Sequence, residues 1–164
     1  MIVVSDTTPL ISFMKIGQLD LMEKLFGEVQ IPQAVFDELT SNPKFADESR
    51  EIKDCVFIHI VQVQDFKSVD LLRRATGLDI GESEAIVLTD NLQADLLLMD
   101  EAKGREIAEN MGLKIMGTVG LLMASYQSGY ITAEEIRKCI EILRDSGRYI
   151  GEKYLHMLLE RIKE

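Results

Sequence analysis

Residues 2–10 read IVVSDTTPL, in which a β-branched run passes directly into the signals of a helix. Residues 2–5 are typical of a buried strand. Asp6 ends this run, and Pro9 favours the first turn of a helix, where its missing N–H group is not needed. The stretch therefore predicts a strand followed at once by a helix, the repeating unit of α/β proteins.

Further apolar runs alternate with helical patterns along the rest of the chain. They occur at residues 29–31, 56–63, 94–99 and 113–116. Because these runs are mostly apolar and do not alternate between apolar and polar residues, they predict parallel strands that are covered on both faces. We expect a three-layer α/β/α sandwich with a central, mostly parallel sheet, followed by C-terminal helices.

Two amphipathic helices are predicted after Gly129. Thr132 and Glu135 have the spacing of a capping box at the start of the first helix, and residues 146–149 predict a flexible joint before the second. The chain is expected to divide into a domain at residues 1–128 and a helical extension at residues 129–164. The apolar faces of the extension must pack against a partner or against the chain's own sheet.

The composition fits a globular intracellular protein. The 164 residues are 46% hydrophobic and 28% charged, which is ordinary for a globular domain. The sequence shows no secretory signal and no apolar run long enough to span a bilayer. Cys55 and Cys139 lack metal-ligand spacing, so free thiols in a reducing cytosol are favoured over a zinc site. We therefore expect a cytoplasmic location.

The net charge of −10 is unusual for a protein that binds nucleic acid. Phosphate contacts normally use Lys and Arg, and an acidic surface repels a polyanion. Either the excess acid is concentrated in a metal-binding pocket, or the chain binds no nucleic acid. Composition alone favours the second interpretation.

Four acidic residues are candidates for a site. Asp6 and Asp100 directly follow predicted strands, and a parallel sheet binds its ligands beyond the carboxyl ends of its strands. Glu82 lies in the first turn of a predicted helix, and Glu38 lies late in another. Taken singly, each acid is explained more simply as a helix cap, a dipole complement or a surface charge.

Taken together, the acids favour a cation. Carboxylates crowded at one edge repel each other unless a cation neutralises them, and oxygen ligands suit Mg²⁺ or Mn²⁺. Such ions activate water for phosphodiester hydrolysis. His59 and His156 belong to no recognisable triad or metal motif, and the chain contains no phosphate-binding glycine loop.

Four motifs occur in the order found in PIN-domain nucleases, which the sequence resembles over roughly residues 1–128. They are Val3 to Ile11, Ile31 to Leu39, Gly81 to Ile86 and Leu97 to Glu101. The resemblance is to the VapC-type, toxin-like branch. It implies a cytoplasmic Mg²⁺- or Mn²⁺-dependent endoribonuclease, commonly a toxin held by a small antitoxin and commonly a homodimer.

Carried over residue by residue, the family's acidic quartet matches Asp6, Glu38, Glu82 and Asp100, as both catalytic residues and metal ligands. Thr7 resembles the hydroxyl neighbour of the first Asp. Glu84 competes with Glu82 in the third motif, but it lies about 200° further around the helix and should point elsewhere.

Some points of the resemblance stay open. A further Asp that is frequent after the fourth motif is unmatched, with Glu101 and Glu106 nearest to its position. Lys103 and Arg105 either contact a phosphate of the RNA or are solvated helix charges.

The main alternative function is a PIN-fold module that binds nucleic acid or protein without catalysis. A phosphotransfer domain is disfavoured, because a phosphatase of that kind needs a second Asp where Thr8 stands.

Overall fold

A single parallel sheet forms the centre of the molecule in the computed structural model, which describes residues 1–148 and 151–163. Every strand pair in this sheet is parallel. The strands are β1 (Val3–Ser5), β2 (Val29–Pro32), β3 (Ile58–Val61), β4 (Leu96–Leu98) and β5 (Ile115–Met116).

The strand order is β3-β2-β1-β4-β5, so the first strand lies in the middle. The chain moves outward from β1 through β2 to β3, then crosses back to β4 and moves outward again to β5. The direction of winding therefore reverses between β1 and β4. In open α/β sheets this switch point forms the crevice that receives ligands.

Helices connect the strands and follow the last one. The first part of the chain forms α1 (Thr7–Lys15), α2 (Asp20–Phe26), α3 (Gln33–Ser41), a 3-10 turn (Pro43–Phe45) and α4 (Ala46–Asp54). The remainder forms α5 (Phe66–Thr76), α6 (Ile80–Asn91), α7 (Ala102–Asn110), α8 (Thr118–Gln127), α9 (Ala133–Asp145) and α10 (Glu152–Arg161). No helix among the described residues has the length and apolar character needed to cross a membrane.

Neighbouring residues of each central strand enter two different hydrophobic clusters, because successive side chains of a strand point to opposite faces. Val3 and Leu98 belong to the larger cluster, with α1, α2 and α8. Val4 and Leu97 belong to the smaller one, with α6. The sheet is therefore covered on both faces, and the predicted α/β/α sandwich is confirmed, with all five strands parallel.

Two helices begin earlier than the sequence pattern predicts, because a side chain caps the first turn of each. The sequence of residues 78–81 predicts a loop before a helix from Glu82, but α6 begins at Ile80 because Asp79 caps its first turn. The apolar pattern also predicts a helix from Val69, but α5 begins at Phe66 because Asp65 caps it. The predicted strand at residues 94–99 is shortened to Leu96–Leu98.

The C-terminal helices pack on the rest of the chain, against helices α1 and α8. The capping box of Thr132 and Glu135 is present at the start of α9. The buried apolar residues of this C-terminal segment lie in the same cluster as Val3; they are Ile136, Cys139, Ile140, Leu143, Leu155, Leu158 and Ile162. Contacts join α9 to α1 and α10 to α8. The division at residue 129 stays a prediction, and Tyr149 of the predicted joint lies outside the described residues.

Leu158 tests whether α10 belongs to the folding core. Its side chain is fully buried, whereas that of the adjacent Met157 is 47% exposed. We expect Leu158→Ala to lower the free energy of unfolding by about 2–5 kcal/mol, because it leaves a cavity. Met157→Ala should change it by about 0.5 kcal/mol or less. Denaturant unfolding measures both, and equal small effects would contradict this packing.

Candidate active site

Two strand ends at the switch point bring Asp6 and Asp100 to the same edge of the sheet. Ser5 is paired with Leu98, and the Asp6 backbone N–H donates to the Leu98 carbonyl at 2.9 Å. Asp6 follows β1 directly, and Asp100 follows β4 after Met99. Their positions at this edge result from the parallel pairing of two neighbouring strands.

Asp6 is an almost completely buried carboxyl, with 4% of its surface exposed. It occupies the N-cap position of α1, but its side chain makes no capping hydrogen bond. Burial raises the pKa of Asp6 to about 7; the Thr7 backbone N–H opposes this shift, and the negative charges of Asp79, Glu38 and Asp100 add to it. Three other acids are therefore close enough to affect its titration.

Glu38 reaches this edge from α3. The Thr7 hydroxyl donates to Glu38 Oε2 at 2.7 Å, so the residue after Asp6 holds the second acid. Pro32 occupies the N-cap position of α3 and provides no side-chain cap. The cap comes from α6 instead, because the Ala34 N–H donates to Glu84 Oε1 at 3.1 Å. Glu84 is thus directed to the start of α3.

Glu82 lies on the other side of α6 and joins the acids. Its backbone N–H donates to Asp79 Oδ1 at 2.8 Å, and its Oε1 accepts from the Asp79 N–H at 3.4 Å, which completes a capping box. The pKa of Glu82 is raised to about 8, mainly by burial and in addition by Asp79, Asp6 and Glu101. Within the described part of the chain, Glu82 Oε2 is buried without a hydrogen-bond donor.

Asp100 is held by the start of α8. The Thr118 N–H donates to Oδ1 and the Thr118 hydroxyl donates to Oδ2, both at 2.6 Å. Both oxygens of Asp100 therefore have donors, in contrast to Glu82 Oε2.

The two nearby cations are placed differently. Arg105 Nη1 donates to the Met99 carbonyl at 3.0 Å, so its guanidinium is engaged by the backbone next to Asp100. Lys103 is exposed and lies beside Gly77. Its Nζ is 3.3 Å from the position that a Cβ atom at Gly77 would occupy. Lys103 is therefore the cation that remains accessible to a ligand.

The sequence reasoning missed two residues of this site, Asp79 and Thr118, and considered Glu101 only for the unmatched further Asp. Asp79 could have been found, because an Asp followed three residues later by Glu is the signature of a capping box. Glu101 was noted as a neighbour of Asp100, and its side chain in fact caps α7 by accepting from the Gly104 N–H. Thr118 carries no local signal, since its partner lies 18 residues away.

The donor set fits a hard divalent cation. The acids supply oxygen ligands, which Mg²⁺ and Mn²⁺ prefer, and Glu82 Oε2 faces other carboxylates and no donor, so it needs a proton or a cation. Among residues 1–148 and 151–163, no three His, Cys, Asp or Glu side chains are already gathered closely enough to hold an ion. The acids share one electrostatic environment without forming a closed cage.

The fold and the acidic edge define an α/β protein with a carboxylate-lined crevice at the switch point of its sheet. Residues 2–164 match the sequence model of a family described as a PIN domain, and the chain belongs to that family. PIN domains are generally nucleases and typically use divalent metals. None of the curated proteins matches the chain. The resemblance to PIN-domain nucleases is thus confirmed, and the match includes the C-terminal helices.

The raised pKa of Asp6 predicts a pH-dependent stability in the presence of EDTA. Between about pH 4 and about pH 7 the folded chain binds more protons than the unfolded chain, so stability falls as the pH rises. The contribution of Asp6 to this loss is about 4 kcal/mol once the pH exceeds its folded pKa. Asp6→Asn should remove this contribution and be more stable than the wild type at about pH 8.

Denaturant unfolding at a series of pH values measures this effect. The control is Asp90→Asn, which removes an exposed carboxylate from the last turn of α6. An unchanged pH dependence in Asp6→Asn would show that this carboxyl does not titrate as stated.

Proposed function

We propose that this PIN domain is an Mg²⁺- or Mn²⁺-dependent endoribonuclease whose site is formed by Asp6, Glu38, Glu82 and Asp100. The observation that carries the proposal is the state of Glu82 Oε2, a buried acceptor that faces carboxylates and, among the residues that the structure describes, no donor. A cation would satisfy this oxygen and stabilise the charged carboxylates of Asp6 and Glu82, whose pKa values are raised by burial and then by repulsion from neighbouring acids.

The four acids would hold the ion through their carboxylate oxygens. A bound Mg²⁺ or Mn²⁺ supplies activation of water and neutralisation of charge on a phosphodiester. Asp6 and Glu82 must lose their protons to become ligands, so metal binding should release protons at neutral pH. Thr7 orients Glu38 through its hydroxyl.

The cations beside the site have different proposed roles. Lys103 would contact an RNA phosphate, because its ammonium is exposed near the acidic edge. Arg105 already donates to the Met99 carbonyl, so we propose that it mainly holds the backbone beside Asp100 in place. Its remaining N–H groups would contact a phosphate.

We also propose a biological role for this activity. We propose a VapC-type toxin that is held by a small antitoxin and acts as a cytoplasmic homodimer. Cys55 and Cys139 are both free thiols, which supports a reducing compartment. Tyr154 and Met157 leave apolar surface on the outer side of α10, where a partner could pack.

The second candidate is a PIN-fold binding module without catalysis. Two observations favour it: the net charge of −10, and the lack of a closed group of metal ligands among the described residues. The acidic edge would then be a relic of a nuclease site, and no metal-dependent cleavage would occur.

Matched Glu variants on α6 separate the two functions. With Mn²⁺, the wild type should cleave a mixed RNA pool, and EDTA or Asp6→Asn should abolish cleavage. Glu82→Gln should lower the rate at least about 100-fold, since it removes a ligand charge. Glu84→Gln should stay within about threefold, because a Gln oxygen can still accept from the Ala34 N–H.

Gel analysis of labelled RNA measures these rates. Equal loss in both Glu variants would contradict the assignment of Glu82. Wild-type protein that binds RNA but yields no Mn²⁺-dependent products would favour the binding module.

Charge reversal of Lys103 tests the phosphate contact. Lys103→Glu should weaken RNA binding and reduce the slope of log K against log salt by about 1. The control is Lys114→Glu, an exposed lysine at the opposite end of the sheet, just before β5. Fluorescence anisotropy in the Asp6→Asn background measures binding without cleavage. Equal effects of the two reversals would show a non-specific charge effect.

A further inference from the structure

The start of α8 contacts Asp100, and the proposed role of the four acids as metal ligands does not by itself explain this contact. Gly117 and Thr118 follow β5, whose carboxyl end lies beside that of β4, because the Met99 N–H donates to the Met116 carbonyl at 3.0 Å. Thr118 is therefore placed next to Asp100. Thr118 is 1% exposed, and its hydrogen bonds to the half-buried Asp100 are partly buried.

One residue fixes the whole carboxylate of Asp100. The Thr118 N–H bonds Oδ1 and its hydroxyl bonds Oδ2, both at 2.6 Å. Two donors on two oxygens set both the position and the rotation of the carboxylate plane. A carboxylate has about four acceptor positions, so each oxygen keeps one for another ligand.

The surroundings favour this orientation over others. Thr118 is the first residue of a ten-residue helix, whose N-terminal end attracts negative charge. A Cβ at Gly117 would lie only 2.8 Å from Asp100 Oδ1 and 2.7 Å from Arg105 Nη1. Gly117 thus leaves room for the Asp100 carboxylate, and Thr118 binds it.

We propose that Thr118 is a positioning residue that holds the Asp100 carboxylate in the orientation required for a divalent cation. This role rests on the proposed metal-dependent function and extends it. The side chain of Asp6 makes no capping hydrogen bond, and Glu38 accepts one hydrogen bond, from the Thr7 hydroxyl. Among the described residues Glu82 Oε2 has no donor. Asp100, with a donor on each oxygen, is therefore the most firmly positioned of the four acids.

Isothermal titration of Mn²⁺ into the full chain tests the role without reference to turnover. Thr118→Val removes the hydroxyl at nearly constant volume and should weaken Mn²⁺ binding about tenfold. Thr118→Ser keeps both donors and should stay within about twofold of the wild type. Thr118→Ala serves as a second variant if Thr118→Val is poorly folded, and circular dichroism checks each variant.

The matched control is Thr89→Val. Thr89 is also 1% exposed, and its hydroxyl bonds the Ala85 carbonyl within α6. It should lose stability without loss of Mn²⁺ affinity. In an Asp100→Asn background, Thr118→Val should have little further effect, because the two residues act as one unit.

Unaltered Mn²⁺ binding in Thr118→Val and Thr118→Ala would overturn the positioning role while leaving the proposed function intact. A full tenfold loss that persists in the Asp100→Asn background would also overturn it, since Thr118 would then act elsewhere. If the wild type binds no Mn²⁺, the proposed metal-dependent function fails, and the positioning role fails with it.

Discussion

The parallel pairing of β1 with β4 is the constraint on which the site depends. These strands are separated by about 90 residues of sequence, yet Val3, Val4 and Ser5 are in register with Leu96, Leu97 and Leu98. The pairing places the ends of both strands at the switch point and buries opposite faces of the sheet in two clusters. A shift of register would move Asp100 along the edge and reverse the burial of β4.

Negative charge is concentrated at the edge of the sheet where the acids lie. The acids of the site raise the pKa values of Asp6 and Glu82 through burial and mutual repulsion, which a structural role alone would not favour. The net charge of −10 is also partly explained, because several of the acids lie at one edge. Helix capping by Asp79 and Glu84 fixes two more carboxylates in local roles around the same helix.

Local sequence patterns predicted the fold and the acids at the strand ends. A short stretch such as residues 2–10 already contains a strand, the acid that ends it and the start of the following helix. Local patterns could not predict Thr118, whose role depends on where β5 lies in the sheet. The apolar stripe that contains Ile136 and Ile140 was visible in the sequence, but only the packed core shows that it is buried within the chain's own larger hydrophobic cluster. Asp79 was missed although its capping signature was present.

The contribution of α10 to the core has a consequence for protein synthesis. Leu155 and Leu158 belong to the same hydrophobic cluster as Val3 and Leu98, so this cluster is incomplete on a nascent chain that lacks them. Strand β1 is synthesised long before α10, and the cluster that contains Val3 is completed only by the helix made last among the described elements. Completion of this core is therefore delayed during synthesis, and premature termination upstream of α10 leaves a product with exposed apolar surface, a substrate for chaperones and proteases.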